Sequence, residues 1–408
     1  MPDAPKRRAA SWSLNPASIL LGDKGDVRFW HKADMGCCTA EYVLADSTKV
    51  VIQMDIPVTS TLRGALGALA ALAFTSTVWL AATPAAADDY DTCGKASGNE
   101  AIAACTRAID SGQYSGRQLA ALFNNRCSEW NGKQESDKAF ADCDEAIRLY
   151  PNYALAFFNR GNAYYAKGQY DRAIEDYNQS IQLNPSYANA FSNRGNTYAT
   201  KGQYDRAIED YNEAIRLNPK HAAAFYNRGT AHNAKGQSDH AIDDFNQTIR
   251  LDPDQADAFY NRGIAYKAKG QYDRAIEDYS EAIRLDPNYA NAFNNRGNTY
   301  NAKGQFDRAI EDFNQALRLN PNHTEALKNR GAAYNGKGQY DRAIEDFNQA
   351  IRLNPNLAIA FYNRGFSWER KNDLQRALAD FMKFSECAPS DPDGPKAVER
   401  VTKALSGR

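Results

Sequence analysis

Between residues 120 and 391 the apolar positions fall into two short stripes that alternate along the chain. In residues 154–187 the first stripe carries Phe157 and Tyr164, and the second carries Ala173, Ile174, Tyr177 and Ile181. Steps of three and four put such residues on one face of a helix, so each stretch predicts two helices. Gly168 sits where the first helix must stop, in a left-handed turn that costs glycine nothing. Asp171 opens the second helix and suits its N-terminal dipole, and Pro185 ends it. The pattern returns every 34 residues. With Ala154 as position 1, further copies start at Ala188, Ala222, Ala256, Ala290, Thr324 and Ala358, and a weaker copy occupies 120–153. This gives eight units over 120–391, with a partial helical cap expected at 88–119 and a polar closing helix at 392–408, where "KAVERVTKAL" lies.

Position 8 is glycine in the seven full copies: Gly161, Gly195, Gly229, Gly263, Gly297, Gly331 and Gly365. A glycine inside a helix costs about 1 kcal/mol relative to alanine. A cost repeated this often implies that a partner helix approaches too closely for a side chain, and alanine at position 20 is the matching small surface. In the weak copy, positions 8 and 24 are Cys127 and Cys143, which should face each other across the helix pair.

Small residues at 8 and 20, aromatics at 11 and 24, proline at 32 and the 34-residue period resemble the tetratricopeptide repeat. The resemblance implies an all-α, right-handed α-solenoid of helix-turn-helix repeats, with first helices lining a concave groove. One helix pair cannot bury its own apolar face, so copies stack to bury it for one another. One departure from the family concerns position 7, usually leucine. Here it is arginine in all eight copies (Arg126 to Arg364), and position 23 is always aspartate (Asp142 to Asp380). An Arg–Asp bridge within or between units, with the arginine stem packed on tyrosine, is the simplest account. The alternative is a basic row for an acidic ligand.

In the family, positions 2, 5, 6, 9, 12 and 13 of the first helix face the groove. Position 6 is asparagine without exception: Asn125, Asn159, Asn193, Asn227, Asn261, Asn295, Asn329 and Asn363. Each amide offers two donors and an acceptor. A regular row could pair with the backbone of an extended peptide, or could bond to neighbouring helices and hold their spacing. Position 9 adds Asn162, Asn196 and Asn298, and position 5 adds Phe158, Tyr226, Tyr260 and Tyr362, rings that could anchor a peptide or stack on a sugar. The chaperone-type carboxylate clamp is not matched, because position 5 offers only Lys328, with Ala332 at position 9 of that copy.

The segment 54–87 has a different character. After Met54 and Arg63 an uncharged run from Gly64 to Ala87 closes on Ala85-Ala86-Ala87, the layout of a secretory signal. Residues 1–53 show no sustained period; they are an extension, unstructured or not translated, ahead of a start at Met54. Alternatively, 64–82 is a membrane anchor. Both readings export the repeats, to the periplasm or to the far side of a membrane. Export suits the cysteines: Cys93, Cys105, Cys127 and Cys143 suggest two disulfides, against the simpler reading of small buried thiols. Neither spacing is a zinc pair.

With 49 Lys+Arg against 50 Asp+Glu there is no basic field for nucleic acid. His221, His232 and His240 gather around one copy, but positions 11 and 19 should point different ways, so no metal site is expected. No phosphate loop, G-x-S-x-G or other catalytic set is present, and no cofactor is expected. The expectation is a non-enzymatic scaffold that binds a peptide or protein segment. A self-assembling structural protein is one alternative, and an accessory subunit of a cell-envelope glycan-acting enzyme is another.

Overall fold

The computed structural model describes residues 26–31, 38–43, 49–54 and 85–407. The chain divides into two compact units, Met1–Thr83 and Pro84–Arg408. In the first, strands β1 (Asp26–His31), β2 (Cys38–Val43) and β3 (Lys49–Met54) form an antiparallel sheet in that order, with Asp26 opposite Val43 and Cys38 opposite Met54. The sequence offers no sustained period here, because runs of six residues are too short to display one. Residues 55–84, which hold most of the expected signal or anchor, lie outside the described residues. No helix among the described residues is long and apolar enough to cross a membrane.

The second unit is helical throughout its described residues. α1 (Ala85–Lys95) and α2 (Gly98–Asp110) lead into the pairs α3 (Gly116–Gly132) and α4 (Ser136–Leu149), α5 (Ala154–Ala166) and α6 (Tyr170–Leu183), and α7 (Ala188–Thr200) and α8 (Tyr204–Leu217). The series continues with α9 (Ala222–Ala234) and α10 (Ser238–Leu251), α11 (Ala256–Ala268) and α12 (Tyr272–Leu285), and α13 (Ala290–Ala302) and α14 (Phe306–Leu319). It ends with α15 (Thr324–Gly336) and α16 (Tyr340–Leu353), α17 (Ala358–Arg370) and α18 (Leu374–Cys387), and α19 (Asp393–Ser406). Each helix packs on its hairpin partner, and each second helix on the next first helix. Successive first helices of units also touch, whereas successive second helices do not come together in this way. The stack therefore curves toward its first helices, and their exposed faces line its concave side.

The turns follow from the sequence. Position 15 takes the left-handed conformation in every unit: Gly168, for instance, has φ 71°, while Gln134 and Asn372 adopt it in the first and last units at 60° and 66°. At position 31 the asparagine or aspartate side chain accepts a backbone N–H two residues on, as Asn184 does from Ser186 and Asn218 from Lys220. Proline follows at position 32, has no N–H to satisfy and cannot continue the helix.

The close approach at position 8 is present, but its partner is the ring at position 24 rather than the alanine at 20. A Cβ on Gly263 would lie 2.7 Å from Tyr279, and one on Gly161 2.8 Å from Tyr177. The main chain at position 20 is a secondary contact, seen as Ala207 O at 3.2 Å from Gly195 and Ala309 O at 3.1 Å from Gly297. Each ring is buried, contributing about 2–3 kcal/mol from area removed from water. In the first unit a disulfide takes the place of glycine and ring, Cys127 bonded to Cys143, and a second disulfide, Cys93–Cys105, ties α1 to α2. At the other end, Ala397 and Val401 of α19 pack against Leu374, Ala377 and Phe381.

Two histidines at position 34 carry a pH dependence. Burial pushes the imidazoles of His221 and His323 below their ordinary pKa. The His221 Nε2 is buried without a partner, and His323 Nδ1 accepts the Ala326 N–H at the start of α15. A histidine with a depressed folded pKa binds fewer protons folded than unfolded. Its contribution is therefore complete above the ordinary value of about 6.5 and declines as pH falls through it. Thermal melts at pH 7.5 and 5.5 should show a larger drop for the unaltered chain than for the His221→Tyr/His323→Tyr double variant, which carries the tyrosine that position 34 uses elsewhere.

A candidate binding groove on the concave face

The charged residues that might have formed a basic row are consumed by the scaffold. Every position-7 arginine donates Nε and Nη2 to the position-23 aspartate of its own unit, with Nη2–Oδ1 distances of 2.5–2.7 Å. From the second to the eighth unit its Nη1 reaches position 25 of the unit before, at Asp144, Asn178, Asn212, Asn246, Ser280, Asn314 and Asn348. The bridge is thus both within and between units. The ring nearest the guanidinium is the position-4 phenylalanine, at 5.4–5.6 Å in seven units; the expected tyrosine is a second, more distant ring, as Tyr164 is for Arg160 at 6.0 Å and Tyr266 for Arg262 at 5.9 Å. Among the described residues the position-7 arginines leave no free row for an acidic ligand. A second inter-unit link pairs position-14 lysines with position-18 aspartates of the preceding unit, from Lys167–Asp137 to Lys371–Asp341.

The position-6 amides are largely engaged by the unit before, in two registers. Asn193 and Asn227 donate to the position-9 oxygens of Asn162 and Asn196, both at 2.8 Å. Those oxygens also accept the hydroxyls of Tyr177 and Tyr211. Asn159, Asn261, Asn295 and Asn329 donate instead to position 5, at Asn124, Tyr226, Tyr260 and Asn294, over 2.9–3.0 Å. Asn159 and Asn329 are buried, and the others are half-buried. Asn363 has no such acceptor, since positions 5 and 9 ahead of it are Lys328 and Ala332. Among the described residues no donor meets the side-chain oxygens of Asn227 and Asn261.

What faces the groove beyond these bonds is varied. Tyr226, Tyr260 and Tyr362 are half-buried and lean on position-24 rings. Tyr260 also stacks near Tyr289, whose hydroxyl donates to Asp257 at 2.5 Å. Burial pushes the Tyr226 and Tyr260 hydroxyls above their ordinary pKa, so both are neutral donors at physiological pH. Ile359 and Phe366 are exposed at positions 2 and 9 of α17, one apolar stripe on that helix.

The histidines behave differently from expectation. His232 and His240 meet, with ring centroids 5.1 Å apart, because positions 11 and 19 face each other across the hairpin. Elsewhere a cation sits over a ring there, as Arg172 over Tyr164 and Arg376 over Trp368. That exchange of partners at 11 and 19 was readable in the repeat. His221 lies apart, at position 34. No group of three or more metal-binding side chains occurs among the described residues.

Family models match the chain in an unbroken run. A model described as TPR repeat matches residues 161–202, 195–236, 230–270 and 265–304. Two described as tetratricopeptide repeat match 290–323 and 324–357, and 143–175. Together they run from 143 to 357, more than half of the 408 residues. Among solved structures, the APC/C hetero-tetramer Cut9–Hcn1 is similar at 19% identity and a TM-score of 0.51, over 69% of this chain and 55% of that one. A tetratricopeptide repeat protein from Parabacteroides merdae is similar at 19% identity and 0.50, over 61% of this chain and 98% of that one. MamA is 31% identical over 39% of this chain and 93% of its own, with a TM-score of 0.38. A search of curated proteins gives no match. The first two likenesses show the fold, a right-handed α-solenoid of helix pairs.

The central bridge makes a testable claim about stability. Burial pushes the Asp278 carboxyl above the ordinary carboxylate range, against the pull of Arg262. Replacing Arg262 by Met leaves that carboxylate buried without its partner. The expected loss is about 3 kcal/mol, read as a lower urea midpoint.

Proposed function

The chain belongs to the tetratricopeptide repeat family, and on that premise we propose that it is a non-catalytic scaffold whose concave groove binds an extended peptide or protein segment. The observation that carries this reading is the chemistry left over on the first helices after the scaffold bonds are made. Tyr226, Tyr260 and Tyr362 present half-buried ring area, and the Asn227 and Asn261 oxygens meet no donor among the described residues. Rings of this kind give large contact area at low entropic cost, and open acceptors suit the N–H groups of an extended backbone. The asparagine row, with Asn162, Asn196 and Asn298 beside it, then has two duties: its nitrogens set the spacing of the units, and its free oxygens face the ligand.

Immobilised protein should enrich linear peptides from a random library. Changing Asn227, Asn261 and Asn295 together to alanine should weaken capture by about tenfold or more, a loss of about 1.4 kcal/mol. The helical circular-dichroism signal must persist for the comparison to count. Capture that survives the triple change removes the asparagines from the binding reading.

The compartment we propose is an oxidising one outside the cytoplasm. Cys93–Cys105 and Cys127–Cys143 are bonded, and such bonds persist where thiols are not kept reduced. Intact-mass measurement of the protein isolated from its cells, after thiol blocking, should show four cysteines unlabelled and the segment before Asp88 removed. Labelling of all five thiols after Asp88, the free Cys387 included, would place it in a reducing compartment.

A further inference from the structure

Seven units close their hairpin with a glycine at position 8 against an aromatic ring at position 24, and the two hairpins at the N-terminal end of the stack do not. In α3 and α4 these positions hold the bonded pair Cys127 and Cys143. The hairpin ahead of it, α1 and α2, repeats the arrangement, although its sequence is too short and too altered to show the period. Its buried Ala101, Ala104, Cys105 and Ala108 match Ala139, Asp142, Cys143 and Ala146 of α4 in spacing. Thr106 accepts Nη1 of Arg126 at 2.9 Å, the bond that position 25 makes elsewhere with the arginine of the next unit. Cys105 therefore stands at position 24. Its bond to Cys93 is the position-8 contact again, made across 12 residues rather than 16.

Each disulfide is also part of the surface on which the next hairpin sits. Cys93 and Cys105 pack with Leu122 of α3, and Cys127 and Cys143 pack with Ala163 of α5. All four cysteines are buried. With the bond open, two thiols remain where the other units have a buried ring, so the hairpin keeps neither the staple nor the apolar area of the ring. In a stack whose units touch only their neighbours, an end hairpin is held from one side and opens first. Among the described residues the reducible contact is confined to that end, where its loss leaves seven stacked units closed by rings that no reductant alters. In a middle unit the same exchange would cut the array in two.

We propose that α1 to α4 are a redox-released cap: oxidised, they extend the stack, and reduced, they come away and leave an array that begins at α5. A reductant of the dithiol class drives the change. Its thiolate attacks one sulfur of the bond, a mixed disulfide forms and one cysteine thiolate leaves; its second thiolate then attacks the reductant's own sulfur and releases the other cysteine. Each protein disulfide gains two electrons and two protons, and the reductant ends as a disulfide. Because the sulfurs are buried, attack follows opening of a hairpin, so α1 and α2 go before α3 and α4. Release parts Asn159 from Asn124, Arg160 from Asp144 and Lys167 from Asp137, and it shortens the concave wall by α1 and α3. Nothing in this depends on what the groove binds.

The test is amide hydrogen exchange, read by mass spectrometry on the full chain, oxidised and after treatment with a water-soluble phosphine, with intact mass showing that both bonds are open. Exchange over 98–149 should rise about a hundredfold on reduction, the factor expected for losing a staple across a loop of this size, while exchange over 222–285 stays as it was. Cys127→Gly/Cys143→Phe gives the second hairpin the pair that Gly297 and Phe313 form in a unit with Asn294 at position 5, where this one has Asn124. In that variant 116–149 should stay protected in phosphine while 98–110 still loses protection. Unchanged exchange in the reduced chain overturns the cap, and so does a rise spread evenly over all helices. Bonds that the phosphine cannot open in the folded chain overturn it too. Where the Gly/Phe variant does not hold its fold, Cys127→Ala/Cys143→Ala replaces it. Without reductant that chain should already show the fast exchange over 116–149, and protection equal to the oxidised chain overturns the proposal.

Discussion

Each position-7 arginine holds the array together twice. Two of its N–H groups close the hairpin on the position-23 aspartate, and a third reaches back, to Thr106 in the first unit and to position 25 of the hairpin before in the others. A planar fork with fixed donor angles does this in a way an ammonium cannot. The guanidinium also lies over a phenylalanine, which shields it from water on one side. Because the aspartate is nearly buried, the pair tolerates no loss of either partner. Every unit thus depends on its neighbour for the same charge to be satisfied, which is how a chain of small hairpins becomes one cooperative object. The near-balance of 49 basic and 50 acidic residues leaves little net field for partners to feel.

The concave wall is built on a second, weaker lattice. Position-6 amides bond backward to either position 5 or position 9, and the choice follows the side chain available: asparagine at 9 with tyrosine at 24 gives one register, tyrosine or asparagine at 5 gives the other. The wall is therefore regular in spacing yet varied in chemistry. Ring, amide, lysine and apolar stripe succeed one another from Tyr226 to Phe366 without altering the helices beneath them.

The sequence revealed what repeats along one chain more fully than what meets across helices. The 34-residue period, the helix ends, the left-handed turn at Gly168 and the facing of Cys127 and Cys143 were all legible, because each follows from local stereochemistry or from one hairpin. The partners of Gly161 and Arg160 were less so. Small-on-small packing is a sound generality, but the neighbour of Gly161 is Tyr177; Arg160 does meet the tyrosine Tyr164, yet Phe157 lies nearer, both fixed by side-chain direction rather than spacing. The Lys–Asp links between units and the acceptors of the amide row were invisible, since a period says which copies adjoin without saying how far one is rotated on the next. Strands β1 to β3 were missed because six residues hold too few alternations. The facing of His232 and His240 was missed although Tyr–Arg pairs at the same positions recorded it.

Repetition also separates the residues that hold the copies together from those free to do something else. A residue present in all copies, such as the arginine, the aspartate or the position-6 asparagine, is kept by the need of each unit to fit the next. Its presence says little about a ligand, however suggestive its chemistry. Positions 5 and 9 share the task of accepting the position-6 amide and so vary more freely, as phenylalanine, serine, tyrosine, asparagine and lysine at position 5 show. Lys328 goes further, since it deprives Asn363 of the acceptor that a tyrosine or asparagine would have supplied. Such departures, rather than the repeated residues, mark where the array can vary without losing its stacking.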